Sequence, residues 1–188
     1  MNCKSESRYL TVPNVITAFR IIGSAVLLFI KPLTPLFLIL YAVCGFSDVL
    51  DGFIARSTGR TTDLGAKLDS IADLLYYAVM VLRIMPILIS ILPGWLWCAT
   101  GIVILLRLGS YITAAVKYKR FASMHTYMNK VTGLAMFTMP YALMLPCAVT
   151  LCAVICAIAG ISSLEEFIIH LVRREYSTSV KSIFDIKK

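Results

Sequence analysis

The sequence predicts an all-α integral membrane protein with six transmembrane helices in one bundle, and three observations carry that prediction. Hydrophobic residues make up 59% of the 188-residue chain. Charged residues make up 15%, against the roughly 25% usual in soluble domains. Apolar runs close to the roughly 20 residues that cross a bilayer recur along the chain, and prolines, which cannot continue a helix, stand between them.

A polar N-terminal segment, residues 1–13, precedes the first run, Val15–Ile30. The expectation is a retained span and no cleaved leader, because Pro13-Asn14 interrupts the chain before any small-residue cleavage site. Lys31-Pro32 ends this run, and Leu33–Leu50 forms the second. Leu64–Leu92 is the third, closed by Pro93-Gly94, and Leu96–Val116 the fourth. After a basic connection come Val131–Leu145, the Pro146-Cys147 break, and Ala148–Val172. A polar tail, 175–188, completes a single domain expected to cover 1–188. No internal repeat or low-complexity segment is evident.

The net charge of +8 could suggest nucleic acid, but its placement excludes that reading. Fourteen of the eighteen Lys and Arg residues fall on one side of a six-span arrangement, and only Lys31 lies in a loop on the other. An excess of Lys and Arg marks cytoplasmic loops, so both termini and the loops around Arg56–Lys67 and Lys117–Lys130 are expected in the cytoplasm. The same basic rim suits anionic lipid headgroups and acidic substrates. Six cysteines, without a C-x-x-C pair or metal-ligand spacing to the two histidines, read as small packing residues.

Against this background Ser47–Asp73, "SDVLDGFIARSTGRTTDLGAKLDSIAD", carries half of the ten acidic residues. Residues three or four apart share a helix face, so Asp48 pairs with Asp51 and Asp69 with Asp73. The first pair closes the second run and the second pair opens the third, which brings four carboxylates to one level just inside the cytoplasmic face. Each ionised aspartate at membrane depth costs on the order of 3 kcal/mol, less near the interface. Arg56 is a candidate counter-ion, yet one guanidinium cannot neutralise four carboxylates. Hard divalent cations, Mg²⁺ or Mn²⁺, take carboxylate oxygens and keep positions open for water and phosphate. Two such ions would clamp both ends of a phosphoryl transfer. Gly52, Ala55 and Gly65 leave space beside the carboxylates. Interfacial ion pairing is the plainer account of any one pair; four aspartates on one spacing, interleaved with glycines, argue against it.

Written out, the stretch is D-x-x-D-G-x-x-A-R, eight residues, then G-x-x-x-D-x-x-x-D, with Asp48, Asp51, Gly52, Ala55, Arg56, Gly65, Asp69 and Asp73 at the fixed positions. It resembles the signature of the CDP-alcohol phosphotransferases, membrane enzymes of phospholipid synthesis. The resemblance implies a Mg²⁺- or Mn²⁺-dependent transfer of a phosphatidyl group from CDP-diacylglycerol to a small alcohol, with release of CMP. It implies that Asp48, Asp51, Asp69 and Asp73 hold two metals and that Asp73 is also the general base. Gly52, Ala55 and Gly65 would make room for the cytidine diphosphate, and Arg56 would contact its phosphates beside Asp48. It also suggests a homodimer.

The acceptor is read from residues outside that stretch. "VPNVITAFRII" is similar to the P-N-x-x-T-x-x-R opening of phosphatidylglycerophosphate synthases, with Thr17 and Arg20 on one face. "LDSIAD" instead resembles the serine-transferring branch. An acceptor that carries phosphate, such as glycerol 3-phosphate or inositol phosphate, needs a cationic pocket, and Arg20, Arg107 and Lys130 could supply one. That tips the expectation toward glycerol 3-phosphate, with serine or inositol as alternatives. Arg107, inside the fourth run, is either part of such a pocket or the partner of Glu165 or Glu166. Lys130 is either a phosphate ligand or an interfacial cation, His125 reads as a loop histidine, and Arg83 as a residue snorkelling to the outer face. Glu166 and His170, four apart, read as a local pair. The rival class is a small transporter, which predicts acidic residues spread through the membrane depth rather than gathered at one level.

Overall fold

The computed structural model describes residues 12–58, 63–119 and 126–173; the side chains of residues 12–14, 49, 51–58, 63, 64 and 66 lie outside that description. Among the described residues there are six α-helices and no strand: α1 Val12–Leu27, α2 Pro35–Thr58, α3 Asp63–Ile91, α4 Gly94–Tyr118, α5 Tyr127–Ala142 and α6 Ala148–Val172. The breaks fall where the prolines predict. Between α1 and α2, Leu33 adopts a left-handed φ of 60°, and the Thr34 hydroxyl accepts from the Phe37 amide at 3.3 Å, capping α2 just ahead of Pro35. Proline at the first helical position lacks only an amide that would have no partner there. The Thr126 hydroxyl likewise accepts from the Asn129 amide at 3.2 Å and starts α5, a cap worth about 1 kcal/mol.

Among the described residues, three helical stretches are long and apolar enough to cross a membrane, Lys67–Ile91, Gly94–Tyr118 and Ala148–Val172, and two shorter ones, Val15–Leu27 and Pro35–Asp48, are apolar. Boundaries shift by a few residues from the sequence reading, most at the end of α2, which continues past the expected Leu50 to Thr58. No proline interrupts that segment.

Helix faces are inverted relative to a water-soluble protein. On α1, Thr17, Arg20 and Ser24 are buried while Phe19, Ile22 and Val26 are exposed. On α6, Ser162, Ser163, Glu166 and His170 are buried while Val154, Ile161 and Leu164 face outward. Apolar side chains turned out and polar ones turned in is the arrangement that lipid as solvent selects.

The helices form two compact units, the first ending at Ser90 and the second beginning at Ile91. In the first, α1 packs closely on α2: a Cβ added at Gly23 would stand 2.6 Å from the Cys44 sulfur. Tyr41 of α2 stacks on Tyr76 of α3 with ring centres 5.7 Å apart, and the Tyr76 hydroxyl donates to the Tyr41 carbonyl at 3.1 Å. Arg83 is tied down rather than free to snorkel, since its Nη2 donates to the Ile30 carbonyl at 2.6 Å, beyond the end of α1. In the second unit, α6 packs against both α4 and α5. The α6 C-terminus is capped from α4: the Lys117 amine donates to the His170 and Leu171 carbonyls at 2.9 and 2.7 Å, and the Tyr118 hydroxyl to Arg173 at 2.9 Å. Orphan carbonyls at a helix end favour such cationic donors.

Candidate metal centre

Asp48 lies on α2, and Asp69 and Asp73 lie four residues apart near the start of α3. The structure brings these three together: one carboxylate oxygen from each lies within 4.8 Å of the others. Their side chains are 44%, 43% and 38% exposed, so water or phosphate could complete a coordination shell. Three hard oxygen donors at this spacing fit Mg²⁺ or Mn²⁺ better than softer metals. Asp51, Gly52, Ala55 and Arg56 lie on the helical backbone of α2, but their side chains fall outside the described residues. Gly65 is in the first turn of α3, partly buried.

Among the described residues, Arg20 is a cation that stands between these carboxylates. Its side chain has no solvent exposure; Nη1 donates to Asp48 Oδ1 at 2.5 Å, and Nη2 donates to Asp69 Oδ1 and lies 3.4 Å from Asp73 Oδ1. Thr17, one turn earlier on the same face of α1, is also buried. The sequence offers this arginine to a phosphate-bearing acceptor; in the fold it joins the aspartates. The usable signal is its position, nine residues into a short apolar helix and so at the depth of the acidic residues.

Arg107 and Lys130 belong to the second unit. Arg107 Nη1 lies 2.8 Å from Glu166 Oε2 and donates to Asn129 Oδ1 at 2.8 Å, and its Cζ stands 5.7 Å over the Tyr111 ring. Asn129 in turn donates to Glu166 Oε2 at 2.9 Å, and Ser162 donates to Asn129 Oδ1 at 2.6 Å. His170 Nε2 stands 3.7 Å from Glu166 Oε1. Of the two readings of Arg107, the structure displays the partnership with Glu166. Asn129 and Ser162 were not singled out by sequence reading, because neutral polar residues on an apolar helix carry no charge signal. Lys130 is exposed, with its amine 5.9 Å from the Tyr127 ring centre. His125 lies outside the described residues. The five described cysteines are free thiols.

Outward apolar faces, buried polar faces and a carboxylate cluster from α2 and α3 define a helical integral membrane protein with a candidate divalent-metal centre. The family model for CDP-alcohol phosphatidyltransferases matches residues 10–166, and the chain belongs to that family. A CDP-diacylglycerol–serine O-phosphatidyltransferase of Methanocaldococcus jannaschii is 31% identical over 75 residues, which cover 40% of this chain and 35% of that protein. The chain thus matches about a third of that relative's length.

Proposed function

We propose that the protein transfers a phosphatidyl group from CDP-diacylglycerol to a small polar alcohol and releases CMP. The observation that carries this reading is the convergence of Asp48, Asp69 and Asp73 within 4.8 Å in a chain whose family match includes all three. Asp48, Asp51, Asp69 and Asp73 would hold two divalent ions, Mg²⁺ or Mn²⁺. Bound there, the ions supply charge neutralisation of the pyrophosphate and of the departing CMP. Asp73 accepts the proton of the acceptor hydroxyl, whose oxygen forms a bond to the phosphatidyl phosphorus. The bond from that phosphorus to the bridging oxygen breaks, and CMP leaves with the electron pair. Gly52, Ala55 and Gly65 admit the nucleotide, with Arg56 on its phosphates. The family match crosses the division at Ser90, which supports reading the two units of 1–188 as one catalytic domain. Both termini and the site are assigned to the cytoplasmic side by the positive-inside argument.

Serine is the acceptor we favour. Arg20 is engaged with aspartates and Arg107 with Glu166, so two of the three cations required for a phosphorylated acceptor are already balanced. The similarity to a serine O-phosphatidyltransferase points the same way. Glycerol 3-phosphate is the second reading, supported by Pro13, Asn14, Thr17 and Arg20 in the opening helix. The test is CMP release by the purified protein with CDP-diacylglycerol, Mn²⁺ and serine, glycerol 3-phosphate, inositol or inositol phosphate in turn. Release with serine supports the reading; no release above the acceptor-free control with any of them refutes the enzyme.

A further inference from the structure

Arg20 touches every described carboxylate of the candidate metal centre, and it does so across two helices. Nη1 reaches Asp48 on α2, and Nη2 reaches Asp69 and Asp73 on α3. All three contacts are made to Oδ1 atoms. A guanidinium directs its donors in a rigid planar fork, whereas an ammonium is a point charge on a flexible stem. The backbone that carries the fork is also held in register. Three residues on, Gly23 sits so close to Cys44 of α2 that no β-carbon fits between them without movement. Leu27, a further turn along, is wholly buried. Arg20 therefore enters the cluster from an anchored helix that itself contributes no carboxylate.

We propose that Arg20 is a positioning residue of the metal centre: it clasps Asp48 of α2 to Asp69 and Asp73 of α3, and so holds ligand oxygens from two helices at coordinating distance. This deepens the metal-dependent reading above and rests on it. Two other roles make different predictions. A simple counter-charge would compete with divalent cations, so its removal would strengthen their binding. A ligand for acceptor phosphate would leave metal affinity alone and affect only acceptor KM.

The experiment is Mn²⁺ binding to the purified detergent-solubilised protein without lipid or nucleotide, followed by loss of the free-ion electron paramagnetic resonance signal. The native protein is compared with Arg20→Lys and Arg20→Gln, each first shown to be monodisperse. Residues that orient metal ligands typically contribute roughly 10–100-fold to metal affinity. The clasp predicts a weakening of that size in both variants, because one ammonium cannot bridge three carboxylates on two helices. Tighter binding by Arg20→Gln, or native affinity in Arg20→Lys, overturns it. Arg20→Lys alone decides the matter if Arg20→Gln does not fold. CMP release on the same preparations separates the two readings. Native Mn²⁺ binding weakened in the variants, with no CMP released from any acceptor, sinks the reaction and supports the clasp. Absence of Mn²⁺ binding to the native protein overturns the clasp itself.

Discussion

Arg107 of α4 and Glu166 of α6 form an ion pair, Nη1 to Oε2 at 2.8 Å, in which the glutamate has no solvent exposure. Asn129 of α5 bridges the two, accepting from Arg107 and donating to Glu166. Removing one member of a buried pair leaves an uncompensated charge, which costs about 3–5 kcal/mol. Arg107→Met should therefore lower the thermal unfolding temperature in detergent sharply, and Arg107→Met with Glu166→Gln should recover most of the loss. A double variant no more stable than the single would show that the pair is not what fastens these helices.

Gly23 of α1 packs against Cys44 of α2, with 2.6 Å between the position of an added Cβ and the Cys44 sulfur. Gly23→Ala should destabilise by about 1–3 kcal/mol, the usual cost of overpacking. Adding Cys44→Ala removes the sulfur and should restore stability. Thermal unfolding of the two variants checks this, and equal loss in both would refute the steric cause.

Asp73→Asn keeps the shape of the side chain and removes its basicity. CMP release should fall roughly 10²–10⁴-fold, the usual contribution of a general base. Retention of full turnover would remove Asp73 from that role.

Chelation tests the carboxylate centre as a whole. Treatment with excess EDTA should reduce CMP release to background, and either Mg²⁺ or Mn²⁺ should restore it, since both accept oxygen donors with open positions for phosphate. Undiminished release after exhaustive chelation would contradict a metal-dependent reaction.

The helix count, the proline breaks and the pairing of Asp69 with Asp73 were legible because each depends on local rules. Apolar run length, the missing amide of Pro35 and the four-residue spacing of Asp69 and Asp73 act within one element or at its ends. The continuation of α2 to Thr58 was not legible, since polar residues after Asp51 lower the apolar signal without breaking a helix.

By itself the sequence determined the medium and the gathering of acids: apolar runs require lipid around them, and acidic residues on one spacing require cations. Tertiary structure decided which cations serve which acids. Arg20 and Arg107 are alike in sequence, each a lone arginine in an apolar run. Packing sends Arg20 to Asp48, Asp69 and Asp73 and sends Arg107 to Glu166 and Asn129. Charge attraction at a few ångströms depends on helix rotation and register. Those are set by contacts between residues 28 to 59 positions apart, such as Arg20 with Asp48 and Arg107 with Glu166, which no local pattern encodes.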